Sequence, residues 1–124
     1  SSEEKLFKEI SEKGDIALND LSNLNCLEYL YLSSYKITDL SALSSLTNLK
    51  DLTFMGSGVK DLSQLANLNN LEKLKITSLN TFEISPLLNL KSLKELSLAT
   101  TEQQCNQLKE SLLNTEVTCR NPAS

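Results

Sequence analysis

Residues 43–54 read LSSLTNLKDLTF, with a leucine at every third position and a final apolar step of two residues. The same phrase stands 22 residues earlier and returns 22 and 44 residues later, without insertion or deletion. A fixed period of this length is typical of a solenoid, in which each repeat fills one shelf of a shared core. The other three copies carry their apolar residues at Leu21, Leu24, Leu27, Leu30 and Leu32, at Leu65, Leu68, Leu71, Leu74 and Ile76, and at Leu87, Leu90, Leu93, Leu96 and Leu98.

The spacing inside each copy predicts the two sides of this solenoid. Three leucines at steps of three fit single 3₁₀ or α turns, which we place on the convex side. The closing step of two residues has the period of a β-strand. These strands are expected to stack into a short-stranded parallel sheet on the concave side, giving an α/β solenoid. Their apolar pairs are Leu30/Leu32, Leu52/Phe54, Leu74/Ile76 and Leu96/Leu98.

The composition is more typical of a core built from equivalent repeat layers than of an irregular globular core. The chain has 124 residues with no tryptophan, and leucine supplies 27 of them. This length is enough for one domain, so we predict a single domain over residues 1–124.

The charge balance excludes some classes of partner. The net charge is −4, whereas nucleic acid and anionic membranes attract basic patches. We therefore expect no nucleic-acid partner, and no membrane insertion because no apolar run approaches 18 residues. The chain begins with Ser1-Ser2 rather than methionine, which predicts a processed product or a cloned fragment and leaves the compartment open.

The first 17 residues are predicted to form an N-terminal cap helix that covers the open edge of the first shelf. Ser1-x-x-Glu4 resembles a capping box, and Gly14 is a natural helix stop. A partner-binding helix on a truncated fragment is the alternative interpretation.

The repeats are expected to span residues 18–101 and to be followed by a C-terminal cap over 102–119. Gln103–Leu113 has helical spacing, with Cys105, Leu108 and Leu112 on one face. Glu116–Cys119 fits a last edge strand, and residues 120–124 are expected to form a tail.

Polar residues recur where each convex turn begins. Serine or asparagine there is expected to accept hydrogen bonds from unpaired N–H groups of the turn. The acids two residues earlier suit the positive end of the same turn, so we interpret them as capping residues rather than metal ligands. The two sets are Asn19, Ser41, Ser63 and Ser85, and Asp39, Asp61 and Glu83.

The three cysteines form no C-x-x-C pair, and the chain has no histidine, which argues against a zinc site. Cys105 and Cys119 are compatible with a disulfide in an oxidising compartment and equally with two buried thiols in a reducing one. Cys26 occupies the repeat slot of Asn48 and Asn70, so we predict that it is unpaired and near the surface.

The turn segments resemble a known repeat class. Those at 37–43, 59–65 and 84–87, which read ITDLSAL, VKDLSQL and ISPL, are similar to the 22-residue leucine-rich repeats of bacterial internalins. The resemblance covers roughly residues 18–119. It implies a right-handed leucine-rich repeat whose concave sheet binds another protein, as in surface invasion proteins and secreted effectors. It favours a secreted or cell-surface location, and a cytoplasmic one remains compatible.

One departure from the internalin pattern concerns a ladder of asparagines. The family places asparagine three residues after the last leucine of each strand, where its amide bonds the turn backbone. Here those positions hold Tyr35, Ser57, Leu79 and Thr101. Tyrosine and leucine have no amide group that could form the same hydrogen bond. The pattern therefore does not determine the geometry of the turns that follow the strands.

Enzymatic chemistry is weakly supported. Without histidine there is no Ser-His or Cys-His pair, and no glycine-rich phosphate loop follows a strand. We therefore predict a non-catalytic protein without cofactor or metal.

Binding is the better supported class, because residues between the buried strand leucines must face outward. Two tyrosines and paired lysines there are the composition of an interface hot spot, although exposed tyrosine also simply suits a β-strand. The predicted protein-binding residues are Tyr29, Tyr31, Ser33, Asp51, Thr53, Met55, Lys73, Lys75, Thr77, Glu95 and Ser97.

Two functions fit this face. The first is a monomeric recognition module, a bacterial surface or secreted virulence-related protein that binds a protein ligand through the concave face. The second is a small intracellular immunity protein that neutralises a toxic enzyme, for which an acidic domain suits a basic partner. A purely structural spacer is the third interpretation.

Overall fold

The computed structural model describes residues 21–22, 24–33, 36–55, 58–77 and 83–120. The predicted cap helix over 1–17, Asn19 and residues 121–124 lie outside the described residues. The described chain forms one five-stranded sheet in which sequence order equals spatial order, and every neighbouring pair is parallel. The predicted short-stranded parallel sheet is thus confirmed. Its strands are β1 (Tyr29–Ser33), β2 (Asp51–Met55), β3 (Lys73–Thr77), β4 (Glu95–Ala99) and β5 (Glu116–Arg120).

The strands pair in the register that the 22-residue period requires. Leu52 of β2 lies between Leu30 of β1 and Leu74 of β3, and each side chain is at most 4 % exposed. Phe54 is fully buried in the neighbouring apolar row. Because successive side chains of a strand point to opposite faces, one face packs on the core and the other is left open.

The leucines at steps of three form consecutive 3₁₀-type hydrogen bonds. In the second repeat Leu43 N donates to Leu40 O over 2.9 Å, Leu46 N to Leu43 O over 3.0 Å, and Leu49 N to Leu46 O over 3.1 Å. A period of three residues puts all these side chains on one face, and all four are fully buried. The predicted turns are confirmed as the 3₁₀ helices Ser41–Leu43, Ser63–Leu65 and Ser85–Leu87.

Acidic side chains cap these turns, as predicted. Ser41 N donates to Asp39 Oδ1 over 2.9 Å, and Ser63 N donates to Asp61 Oδ1 over 2.9 Å. In the next repeat the acceptor is a glutamate, Glu83 Oε1, which lies 3.3 Å from Ser85 N. The expectation that serine hydroxyls supply the acceptors is corrected. A carboxylate two residues earlier reaches the first free N–H in an Asx-type turn, so the serines act as backbone donors.

The hydrogen bond from the Ser63 backbone lowers the pKa of Asp61 from its ordinary value, and the Ser63 side chain adds to the effect. A hydrogen bond to a carboxylate favours its charged form.

Polar side chains also join neighbouring repeats. Asn48 Nδ2 donates to Asn25 O over 2.7 Å, and Asn70 Nδ2 donates to Thr47 O over 2.9 Å. This asparagine ladder uses the slot that Cys26 holds in the first repeat, whereas positions 35, 57 and 79 of the expected ladder lie outside the described residues.

A column of alternating charge runs beside the asparagine ladder. Lys50 Nζ lies 3.1 Å from Glu28 Oε1, and Lys94 Nζ lies 3.1 Å from Glu72 Oε1. The hydrogen bond and the charge of Glu28 raise the pKa of Lys50. We call these four residues the charge column.

A helix and a strand follow the last repeat. Helix α1 spans Glu102–Ser111, and Thr101 Oγ1 caps it by accepting from Gln104 N over 3.2 Å. Thr101, one of the positions without the expected asparagine, therefore serves as a helix cap. Leu108 of the helix and Leu112, the residue directly after it, lie in the hydrophobic core. Strand β5 includes Arg120, one residue beyond the expected strand end.

Cys105 and Cys119 form a disulfide that joins α1 to β5. Their Cα atoms are 6.2 Å apart, within the usual range for a disulfide. The sequence was compatible with either a disulfide or two free thiols at these positions, and the structure contains the disulfide. Cys26 is free and exposed, as predicted.

Candidate functional site

The side of the sheet opposite the leucines forms a regular surface, which we call the open face. All eleven predicted binding residues lie on it, since they alternate with buried residues along β1 to β4. The strand register arranges them in rows across the sheet. Row 1 is Tyr29, Asp51, Lys73, Glu95 and Glu116; row 2 is Tyr31, Thr53, Lys75, Ser97 and Thr118; row 3 holds Ser33, Met55 and Thr77, and then Ala99 and Arg120.

The aromatic end of the open face lies on β1. Tyr29 and Tyr31 are 67 % and 60 % exposed, and they alternate with Leu30 and Leu32, which pack on the core. The Tyr31 hydroxyl donates to Met55 Sδ over 3.0 Å, which orients the ring toward β2. A shallow depression is lined by the two tyrosines together with Asp51 and Thr53. An apolar side chain of a partner would find ring faces and a polar rim in this place.

The centre of the open face carries the charges. Lys73 Nζ lies 3.7 Å from Glu95 Oε2, so its charge is partly compensated. Lys75, on the same strand, is exposed and has no hydrogen bond or ion pair to any described residue. Its row neighbours are the hydroxyl residues Thr53 and Ser97. The positive charge of Lys75 is therefore not compensated by a partner, and its neighbours in row 2 are uncharged.

Strand β5 adds residues that our binding-residue prediction missed. Glu116 and Thr118 extend rows 1 and 2, and Arg120 extends row 3. Arg120 Nη2 also lies 3.5 Å from Ile76 O, so the side chain reaches past β4 to β3. The alternation of Val117 and Cys119 with polar residues indicated a strand with one outward face. The binding-residue prediction did not include it because that prediction used only the 22-residue period. Glu95 pairs with Glu116, which is 21 positions further along the chain.

The described residues hold no cluster of three or more histidines, cysteines or acids that could bind a metal ion. Within the same ranges, no helix combines the length and the apolar character needed to cross a membrane. The open face presents hydroxyls, charges and aromatic rings without a histidine to act as a base.

The structure is similar to two solved structures of bacterial internalins. The structure is similar to that of internalin C2 from Listeria monocytogenes, with a TM-score of 0.65 and 25% sequence identity over 90% of this chain. Its repeats are internalin-like. A second internalin of the same organism, inlF, gives a TM-score of 0.51 and 25% identity over 85% of this chain. No protein-family model and no curated protein matches the chain.

The chain spans only part of those structures, 52% of internalin C2 and 40% of inlF. The likeness thus covers an internalin-like array of leucine-rich repeats.

Proposed function

We propose that the protein is a non-catalytic recognition module that binds another protein through the open face. In this proposal the sheet is the concave side of a right-handed solenoid with helical caps at both ends. The observation that carries the proposal is the pair of exposed tyrosines, Tyr29 and Tyr31, beside the uncompensated charge of Lys75.

The energetics of interfaces support this choice of site. Buried tyrosines are enriched among the residues that dominate binding energy. A strand residue with no partner to bind would satisfy β-propensity equally well as threonine or valine. The chain has only three tyrosines, and two of them stand together on this face with more than half of their surface exposed.

The disulfide bears on the choice between the two candidate settings. Disulfides persist in oxidising environments and are rare in reducing ones. The bond between Cys105 and Cys119 therefore favours a bacterial surface or secreted protein over an intracellular immunity protein. The internalin-like repeats support the same setting.

Affinity capture with a paired control tests the proposal. The wild-type chain and the double variant Tyr31→Ala/Lys75→Ala are used to retrieve proteins from candidate host and bacterial lysates, followed by mass spectrometry. Purified partner is then titrated against both. A control variant, Asn106→Ala/Lys109→Ala, changes two exposed residues of α1. We expect only the open-face variant to lose binding while its circular dichroism spectrum is unchanged. Equal affinity of all three proteins for the partner would show that the open face is not the binding site.

A further inference from the structure

The charge pattern of the open face differs between its rows. Row 1 contains three acids and one lysine, and that lysine is paired with Glu95 over 3.7 Å. Row 2 contains a single charged residue, Lys75, between Thr53 and Ser97. A continuous acidic segment would be repelled along row 1, whereas row 2 itself offers a single carboxylate one cation and neighbouring hydroxyl donors.

The surroundings of Lys75 suit a carboxylate. A shallow depression in the sheet brings its side chain together with those of Thr53 and Ser97 and of the row 1 residues Asp51, Lys73 and Glu95, so that two lysines face two acids there. An ammonium group beside hydroxyls can donate several hydrogen bonds to one anionic oxygen pair. Because Lys75 has no partner among the described residues, binding a carboxylate would break no existing ion pair.

The position of Lys75 relative to Tyr31 sets a distance. They lie in the same row with β2 between them. Neighbouring strands are about 4.8 Å apart, so the two residues are separated by about 10 Å. A partner segment that reaches both must carry its two anchoring side chains at a matching separation.

We propose that Lys75 anchors a single carboxylate of a protein partner, whose apolar side chain about 10 Å away packs on Tyr31. This inference rests on the proposed function and names the chemistry that the open face selects: one aspartate or glutamate beside an apolar anchor, without a run of acids.

A charge-reversal selection tests the inference. Random peptides displayed on phage are selected against the full wild-type chain and, in parallel, against Lys75→Glu. The wild-type chain is expected to enrich peptides with one acidic and one apolar anchor. The Lys75→Glu variant is expected to enrich lysine or arginine in place of the acid. Wild-type-selected peptides should lose about tenfold or more in affinity for Lys75→Glu, as for loss of a charge-assisted hydrogen bond. Lys109→Glu on α1 is the matched control and should bind as the wild type does.

The outcomes separate the inference from the proposed function. If Tyr31→Ala weakens the selected peptides but Lys75→Glu neither weakens them nor reverses the enriched charge, the carboxylate anchor is wrong and the open face still binds. If neither substitution weakens the selected peptides, or no peptide is enriched, both the anchor and the open-face binding site are wrong. Circular dichroism of each variant shows that it is folded before affinities are compared.

Discussion

At the scale of single residues, position within the repeat decides the environment of a side chain. Leu52 is fully buried between the leucines of β1 and β3, while the next residue, Thr53, is half-buried on the open face. Two adjacent residues of one strand thus have different physical roles. The repeat leucines stabilise the core layer of each repeat, whereas the residues between them can vary without loss of core packing.

Replacing Leu52 with alanine should lower the free energy of unfolding by about 2–5 kcal/mol, because the shelf loses buried apolar volume and a cavity remains. Urea denaturation measures the change. The control is Thr53→Ala, which removes atoms from the opposite face of the same strand and should change the free energy of unfolding much less. Equal effects of the two substitutions would contradict the assigned register.

The cap formed by Asp61 predicts a dependence of stability on pH. Its pKa is lowered in the folded protein, so below pH 4 the unfolded state takes up its proton first. Stability from this group is therefore present above the unfolded pKa near 3.9 and is lost as the pH falls through the lower folded pKa.

The variant Asp61→Asn keeps an oxygen that can accept from Ser63 N, but it does not titrate. We expect its melting temperature to fall less between about pH 5 and pH 2 than that of the wild type, because neither its folded nor its unfolded state takes up a proton at this position. Asp61→Ala, which lacks the acceptor, should be less stable than the wild type even at pH 7. If Asp61→Asn and wild type have the same acid slope, the capping carboxylate has no part in acid denaturation.

At the scale of elements, α1 and β5 follow the last repeat and pack against it. The Leu108 and Leu112 side chains of this unit pack into the core, and Lys91 Nζ donates to Ser111 O over 2.9 Å at the end of the helix. The disulfide adds a covalent link between two elements that are separated by a short loop.

Reducing the disulfide should lower the free energy of unfolding by about 2–4 kcal/mol, since a closed loop of this size restricts the unfolded chain. The comparison uses Cys26→Ser protein, oxidised or reduced, so that the exposed thiol of Cys26 cannot exchange with the bond. The variant Cys105→Ser/Cys119→Ser in the same background should resemble the reduced protein. An unchanged melting temperature after verified reduction would show that the bond contributes nothing to stability.

The elements differ in how far the sequence determined them. The four repeat strands follow from the leucine spacing, because a side chain buried at every second position leaves a strand little freedom. Strand β5 breaks the period by one residue, so its contribution to the open face was missed. The disulfide was undetermined because two packed thiols and a bonded pair produce the same apolar pattern. Capping was assigned both to the serine hydroxyls and to the acids two residues earlier, since residue type and position alone do not reveal which oxygen reaches the N–H; in the described turns only the carboxylates do so.

At the scale of the whole molecule, each repeat contacts its neighbours along the chain, so stability is approximately a sum of repeats and the interfaces between them. The last interface, between β4 and the unit of α1 and β5, covers the apolar edge of the array. Residues of that edge include Leu96 and Leu98, both buried.

A chain ending at Ala99 should expose this edge and self-associate, whereas the full chain should sediment as one species of 13.8 kDa. Sedimentation velocity at matched protein concentrations measures both, and circular dichroism reports the remaining structure. An exposed apolar edge with unpaired backbone groups is a template for association. A truncated chain that stays monomeric and keeps its sheet signal would show that the unit of α1 and β5 is not needed as a cap.

Because of the charge column, adding an even number of repeats to the array differs from adding an odd number. Glutamate and lysine alternate from repeat to repeat, so an added pair of repeats preserves the alternation while an added single repeat brings like charges together. Two lengthened chains of equal length test this difference. In the first, residues 40–83 are repeated once as a block. In the second, residues 40–61 are repeated two more times. The block duplication should have the higher melting temperature at low salt, and added salt should remove the difference. The repeats share the same leucine positions, but their charges make the order of the repeats matter. Adding two repeats therefore keeps opposite charges next to each other, whereas adding one repeat does not.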